Sequence, residues 1–449
     1  MLTVYKFGGS ILKNANDIKK ISKIILENKI NVFSALFSIT DQLILSVKNA
    51  ENKINYRLNI KNIEEIHIKI CEELEVNHNF IQELFADIIK LLDTINSTGE
   101  CSLKTIDNII SNGEFLSSKI VYEYIKTQNK NLNINFVDTR NCIKTNSDFG
   151  NAKVNLDKTT RLIKESINLD KINIITGFIS SDDENNITTL GRNGSDYSAA
   201  LIGAILKCKE IVIWKDVDGV FTANPKIVKN AIQIDSISYQ EMSELAHFGN
   251  KVIALQALTP ATDSKIPIRI RSLYNHQNIG TIISHKTNDK FTIKGIVNIE
   301  NICLINIQIN NKHDLNLHDF IKELFTIIDK INIPFVTNNA EINSVCIACY
   351  AKNAKDMKSK IENHFKAILE NKIININDSK NHSIVSIVNS KISNKSEIIN
   401  LISNELKEAK ININTFNIKS LDANISFIVD SQNTNEAINL IHKSIFTPE

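Results

Sequence analysis

All 13 glycines of this 449-residue chain lie between Gly8 and Gly295, and none follows. Glycine lets backbone turn at positive φ or lie directly against a ligand or another segment. The first part of the chain therefore keeps the tight loops that phosphate sites need, and the last part does not. The boundary coincides with a change of pattern. Before it, strand-like runs at 3–7, 31–35, 133–138, 172–176, 210–214 and 268–270 alternate with amphipathic helical stretches at 18–26 and 109–124 and a long helical block at 63–92. Such alternation predicts an α/β domain over residues 1–285, its mostly parallel sheet sandwiched by helices. After it, strand 302–309, helix 317–330, strands 333–336 and 344–351 and helix 354–369 are followed by a similar set at 383–388, 395–409, 411–418, 424–429 and 434–443. A repeated β-α-β-β-α-β order predicts two ferredoxin-like α+β modules, at 296–375 and 380–449.

Composition narrows the chemistry. Lys and Arg number 52 against 50 Asp and Glu, a formal charge of +2. No basic patch with interleaved aromatics points to nucleic acid. No run of about 18 apolar residues points to a membrane span. Strand-like sequence begins at Leu2, with no basic segment followed by an apolar one, so no signal peptide is expected and the expected location is the cytoplasm. The seven cysteines are odd in number and scattered, which fits a reducing compartment better than a disulfide framework. Cys346 and Cys349 form a C-x-x-C inside an apolar run. Residues three apart in a strand point to opposite faces, so packed thiols explain the pair better than a metal or redox site. The ten histidines are dispersed, with no His-Glu-x-x-His, and no Gly-x-Ser-x-Gly is present, so no metal site or serine nucleophile is expected.

Three segments carry candidate chemistry. Lys6-Phe7-Gly8-Gly9-Ser10 follows a strand and precedes a helix. Two glycines let backbone N–H groups approach phosphate oxygens, a helix N-terminus adds a favourable dipole, and Lys6 supplies mobile positive charge. The spacing is not that of a Walker loop, and an ordinary strand-to-helix turn would use the same glycines. In Thr189-Leu190-Gly191-Arg192-Asn193-Gly194-Ser195-Asp196, glycines flank a buried-looking Arg192, and Ser195 and Asp196 open a helix at 197–206. Capping alone explains a Ser or Asp there, but Gly-x-x-Gly with an arginine suits an anion better. Lys215-Asp216-Val217-Asp218-Gly219 and Asn224-Pro225 are turn chemistry, placed after a strand where open α/β sheets bind ligands.

Together with Ser34 to Leu43, Ser111-Asn112-Gly113-Glu114, Asp138-Thr139-Arg140, Asp148-Phe149-Gly150, Gly177-Phe178 and residues 237–252, these segments resemble the aspartate kinases of the amino-acid-kinase superfamily. The resemblance covers residues 1 to about 285 closely and the rest loosely. The C-terminal repeat is similar to the paired ACT modules of such kinases, and the length suggests the monofunctional, lysine-pathway type, with no dehydrogenase domain following. The resemblance implies transfer of the ATP γ-phosphoryl group, with Mg²⁺, to the side-chain carboxylate of L-aspartate, the first step toward lysine, threonine and methionine.

It also implies roles. Lys6 and Asp196 would be catalytic. Ser34, Thr40, Glu114, Arg192 and Ser195 would bind aspartate, with Arg192 on its α-carboxylate and Glu114 on its ammonium group. Gly8, Gly9, Ser10, Asp216, Phe221, Lys226 and Lys251 would line the nucleotide site. A homodimer or higher homo-oligomer through the ACT modules is implied. Four positions depart from the pattern: Leu36-Phe37-Ser38 replaces a small glycine-containing loop, Lys215 replaces threonine, Asn224-Pro225-Lys226 replaces Asp-Pro-Arg, and Ala254-Leu255 replaces His-Pro. Two alternatives stay open, a catalytically weakened homologue with a regulatory or assembly role and a kinase for another acidic amino acid. Such kinases hold amino-acid effectors in the loop between the first ACT strand and helix. That loop, 310–319 here, has no glycine, and Asp319 stands about where one is expected. Phe335-Val336 replaces an acidic position as well, so weak feedback by lysine is expected unless Asn310 and Asn311 stand in.

Overall fold

The computed structural model describes residues 2–285, 287, 293–310, 315–331, 335–341, 343–389, 395–418 and 424–446. They divide into two compact units, one within Met1–Val220, Gln233–Ser243 and Lys251–Asp289, the other within Phe221–Ile232, Glu244–Asn250 and Lys290–Glu449.

The strands of the first unit are β1 (Thr3–Phe7), β2 (Ile30–Phe33), β3 (Ile134–Val137), β4 (Ile172–Thr176), the hairpin β5 (Ile179–Ser181) and β6 (Ile187–Thr189), β7 (Glu210–Lys215), β8 (Ser236–Ser238), β9 (Ile268–Ser272) and β10 (Thr281–Ser284). Eight of them form one sheet in the order β3-β4-β2-β1-β7-β9-β10-β8. Every pairing in it is parallel except that of β9 with β10. β2 and β4 are buried at every residue, the mark of strands covered on both faces. Their polar members are satisfied: Asn31 Nδ2 donates to the Asn28 carbonyl at 3.1 Å, and Asn173 Nδ2 to that of Lys29 at 2.9 Å. The helices are α1 (Ala15–Ile25), α2 (Ile39–Glu51), α3 (Arg57–Glu73), α4 (Asn79–Thr98), α5 (Leu103–Gln128), α6 (Leu156–Ser166), α7 (Gly194–Ile205), α8 (Tyr239–His247) and α9 (Leu255–Asp263).

The helical block expected at 63–92 is two helices, α3 and α4. Glu75 turns left-handed at φ 57°, and the Val76 N–H reaches back to the Cys71 carbonyl at 2.9 Å. The reversal uses neither glycine nor proline, and Ile60, Ile63 and Ile70 face the same core as Ile81, Phe85, Ile88 and Leu92. The apolar period therefore runs on across the break.

The second unit holds β11 (Ile293–Ile309), α10 (Leu317–Ile331), β12 (Phe335–Ala340), β13 (Ser344–Tyr350), α11 (Ala351–His364), α12 (Lys366–Glu370), β14 (Ile374–Asn389), α13 (Lys395–Glu408), β15 (Thr415–Ile418), β16 (Asn424–Asp430) and α14 (Thr434–Phe446). Its sheet is antiparallel, in the order β12-β13-β11-β14-β16-β15. Two cores are present, and the long strands β11 and β14 serve both. Residues 304–309 pair with 374–379 beside a core with α10 and α11, whereas 293–299 pair with 384–389 and Ile296 enters the core with α13 and α14. The second module is thus completed by chain that precedes the first, a nesting that end-to-end segments at 296–375 and 380–449 do not describe. Cys349 is fully buried and Cys346 half-buried. Residues 311–314 of the 310–319 loop and 333–334 of the strand expected at 333–336 lie outside the described residues. Asp319 falls in the first turn of α10, and Phe335 and Val336 begin β12. No described helix is long and apolar enough to cross a membrane.

One buried side chain ties the first unit together. Asp107 of α5 accepts the Gly150 N–H at 2.8 Å, the Thr189 N–H at 3.0 Å and the Thr189 hydroxyl at 2.7 Å. Burial raises its pKa against those three bonds. Asp107→Ala leaves the buried Thr189 N–H and hydroxyl without their acceptor, whereas the N–H of exposed Gly150 can turn to water, and is expected to lower stability by about 1–3 kcal/mol. An unchanged denaturation midpoint would show that these bonds contribute nothing net.

Candidate active site

Four adjacent parallel strands, β4, β2, β1 and β7, finish at one edge of the sheet, and their ladder continues past the strand ends. The Gly8 N–H donates to the Trp214 carbonyl at 3.2 Å, the Ser34 N–H to Phe7 at 3.1 Å and the Gly177 N–H to Phe33 at 2.9 Å. Beneath them Phe7 stacks on Phe33, with ring centroids 5.0 Å apart, and lies parallel to Trp214. The edge is the carboxyl end of the strands, where open α/β sheets place ligands. Its close approaches need glycine. A Cβ on Gly177 would lie 2.7 Å from Ser195 Cβ and 2.8 Å from the Phe33 carbonyl oxygen, and one on Gly9 3.1 Å from that of Ala35.

The Gly8-Gly9 segment differs from expectation in one respect. A single 3-10 turn, Gly9–Ile11, follows β1, and α1 begins only at Ala15, with Asn14 accepting the Asp17 N–H. The α1 N-terminus is thus capped by its own side chain, away from the glycines. The helix that opens at the site is α7, which carries Ser195 and Asp196 in its first turn.

Asp196 is the electrostatic centre. Lys6 Nζ stands 2.5 Å from its Oδ1 and Lys215 Nζ 3.7 Å from its Oδ2. The three side chains are 6%, 3% and 16% exposed for Lys6, Asp196 and Lys215. Burial pushes the Asp196 carboxyl up, but the two ammonium groups outweigh it and hold it below its ordinary value. Burial and the like charge of Lys6 lower Lys215, against the attraction of Asp196. In the sequence Lys215 opens a turn segment after a strand and departs from the resembled pattern, but nothing there pairs it with Asp196. Its signal was a lysine ending an otherwise buried strand.

Glu114 of α5 is buried near Lys6. Burial pushes its carboxyl up to about 8, against the opposing pull of the Ala35 N–H and of Lys6. Its Oε2 has no hydrogen-bond partner among the described residues. The neighbouring Gly113 packs on Ala35, where a Cβ would come within 3.0 Å of the alanine's own. Ser34 is half-buried, and its carbonyl accepts the Ser117 hydroxyl at 2.5 Å. Ser195 is buried, Ser10 is partly exposed, and Thr40 is partly exposed in the first turn of α2.

Arg192 is exposed rather than buried. Gly191 at φ 73° and Asn193 at φ 61° place it at the crest of a left-handed loop between β6 and α7. Asp216 is exposed, 3.8 Å from Lys13, and Lys251 is exposed in the first unit. Phe221, half-buried, and Lys226, exposed, belong to the second unit. Among the described residues no group of three His, Cys, Asp or Glu side chains could hold a metal ion. The arrangement offers a net positive, dry floor beside a glycine-lined backbone, suited to a phosphate chain, and a separate unpartnered carboxyl suited to a cationic group.

The amino acid kinase family profile matches residues 1–272. The chain is 30% identical over 465 residues to the bifunctional aspartokinase/homoserine dehydrogenase of Buchnera aphidicola subsp. Acyrthosiphon pisum, covering 99% of this chain and 56% of that protein. It is 30% identical over 467 residues to the chloroplastic aspartokinase 1 of Arabidopsis thaliana, covering 99% and 80%. It spans about half the length of the bifunctional relatives it matches. Among solved structures it is similar to E. coli aspartokinase III, with a TM-score of 0.85 at 24% identity over 99% of this chain and 100% of that one. Against the aspartate kinase of Clostridium acetobutylicum the TM-score is 0.78 at 25% identity, again over 99% and 100%.

Glu114 makes stability depend on pH. Unfolded, it ionises near the ordinary glutamate value of about 4.5, whereas burial in the folded state moves this to about 8. Between these values the folded state binds the extra proton, so stability falls as pH rises from about 4.5 to about 8, by on the order of 5 kcal/mol. Glu114→Gln removes this loss, so the melting temperature of the variant minus that of wild type should climb across the window and level off above it. A difference that does not change with pH would rule out the raised carboxyl.

Proposed function

We propose that this chain, which belongs to the aspartokinases of the amino acid kinase family, transfers the γ-phosphoryl group of ATP to the side-chain carboxylate of L-aspartate. The observation that carries the reading is the buried Asp196 shared by Lys6 and Lys215 beside the Gly8-Gly9 turn, at the carboxyl ends of the parallel strands. Phosphoryl transfer needs positioned positive charge more than covalent chemistry. Lys6 neutralises charge on the moving group, and Asp196 fixes where Lys6 stands. Gly8, Gly9 and Ser10 line the phosphates, and Mg²⁺ arrives with ATP as part of the substrate. The attacking carboxylate is already ionised at neutral pH, so no general base is required.

Glu114 supports the aspartate end of the reading. A buried carboxyl with one oxygen unpartnered is receptive to an ammonium group, and such a partner would pull its pKa back down. Arg192, on an exposed loop crest, presents a planar fork to the α-carboxylate. Ser34, Thr40 and Ser195 complete the acceptor side, and Asp216 and Lys251 the nucleotide side. The product is 4-phospho-L-aspartate, on the route to lysine, threonine and methionine. We place the protein in the cytoplasm, as a homodimer or higher homo-oligomer through its C-terminal modules, whose sheet ends in the edge strands β12 and β15.

Purified protein with ATP, Mg²⁺, aspartate and hydroxylamine should yield aspartyl hydroxamate, and glutamate in place of aspartate should not. In the same assay Lys6→Ala should lower kcat by about 100-fold or more. Arg192→Ala should raise the aspartate KM by about 10-fold or more and leave that of ATP unchanged. Wild-type protein without hydroxamate formation refutes the reading. A rise confined to the ATP KM places Arg192 on the other ligand.

A further inference from the structure

Lys215 is an ammonium group in excess of what its surroundings require. Asp196 carries one negative charge and already holds Lys6 at 2.5 Å, within hydrogen-bond range. Lys215 stands on the opposite oxygen at 3.7 Å, beyond that range. Lys6 is buried and Lys215 largely so, and with the one buried anion they leave a net charge of about +1 there, which Asp216, exposed to screening water, only partly offsets and which favours an anion to complete the set. The location shows which anion. A Cβ on Gly8 would lie 3.4 Å from Lys6 Nζ and 3.9 Å from Lys215 Cγ, so the two lysine chains flank the glycine turn. The positive edge faces the segment that the proposed function assigns to phosphate. The resembled pattern has an uncharged threonine here, so the second cation is a property of this chain. Desolvation of Lys215 lowers its pKa, which agrees with a cation poised to gain a partner.

We propose that Lys215 is a second phosphate-binding cation of the transfer site, contacting the nucleotide's phosphate chain together with Lys6. This rests on the phosphotransferase reading above. In the step itself the bond from the γ-phosphorus to the ADP oxygen breaks and a bond from that phosphorus to the acceptor carboxylate oxygen forms. Lys215 stays protonated throughout, and its charge offsets charge on the phosphate oxygens. It loosens from Asp196 while Lys6 keeps that partner.

The test compares Lys215→Met, which removes the charge at similar size, with Lys215→Arg, which keeps it. Calorimetric titration with ADP plus Mg²⁺ and with adenosine isolates the phosphate contribution, and the hydroxamate assay reports turnover. Lys215→Met should weaken ADP by about 10-fold or more, leave adenosine within about twofold, and lower kcat by about 10-fold or more, with Lys215→Arg recovering most of each. Equal ADP affinity and kcat in Lys215→Met and wild type overturns the proposal. So does a parallel loss of ADP and adenosine that follows the melting temperature, because a merely structural partner of Asp196 would behave that way. If Lys215→Met shows no folding transition, Lys215→Gln is judged by the same ADP-to-adenosine comparison. If wild type forms no hydroxamate, the aspartate reading fails by itself, and the ADP titrations still decide Lys215.

Discussion

Taking the Asp196 carboxylate out of water costs several kcal/mol, and only close, well-placed cations offset it. Lys6 comes from the first strand, Asp196 from the first turn of α7 and Lys215 from the end of β7, so the contact fastens three distant parts of the chain at one point. Asp196 stays ionised against burial, and Lys215 titrates below an ordinary lysine because Asp196 only partly compensates for burial and Lys6. The cluster is electrically incomplete in the positive sense. An anion is therefore the natural occupant, and the phosphate chain of a nucleotide is the anion that this enzyme family handles.

That arrangement holds only if the strand ends keep register. The bonds from Gly8, Ser34 and Gly177 extend the β ladder one step past β1, β2 and β4, and so fix the backbone just where side chains must converge. Asp107 performs a related task from behind by tying α5 to the Gly150 loop and to β6. The same helix α5 carries Glu114, so a clamp on α5 also positions the carboxyl assigned to substrate. Stability and site geometry are coupled through that one helix.

Much of this was legible in the sequence, for reasons that particular residues make plain. Strands 3–7 and 172–176 were read with the boundaries the structure shows, because apolar runs bounded by polar or glycine residues admit little else. The helix expected at 197–206 is present but begins at Gly194, after a left-handed Asn193 that makes no side-chain cap bond, so Ser195 and Asp196 stand in its first turn. The misreadings share a cause. Arg192 was taken as buried because an arginine between glycines suggests a ligand cradle, but burial is decided by what packs over a loop, and local sequence does not record that. The division of 63–92 was hidden because Glu75 turns left-handed without glycine. The nesting of 293–299 with the second module was hidden because pairing with 384–389 is a contact distant in sequence. Lys215 was visible as a residue but not as a partner of Asp196, since no spacing rule connects them.

The glycine distribution, which set the domain boundary, carries two separate freedoms that the structure tells apart. One is access to positive φ. After Gly295 that freedom is supplied by other residues, with Asn301, Lys372, Asn381 and Lys410 at φ between 55° and 65°. A non-glycine residue there costs about 1 kcal/mol, which a module with its own core can absorb. The other freedom is the missing Cβ, for which no other residue substitutes. At Gly177 and Gly9 φ is not the issue. A Cβ would run into Ser195, the Phe33 carbonyl or the Ala35 carbonyl. Gly295 itself lies in β11 of the second unit, where a Cβ would come 3.1 Å from the Thr222 carbonyl oxygen, so that unit keeps glycine at a close backbone contact and turns without it afterwards. In the first unit the strand ends crowd together at Gly9 and Gly177, beside the turn that the proposed function assigns to phosphate. Chain meets chain too closely for a Cβ at Gly9 and Gly177, whereas Gly99 and Gly150 serve a positive φ that Asn301, Lys372 and Lys410 reach without glycine.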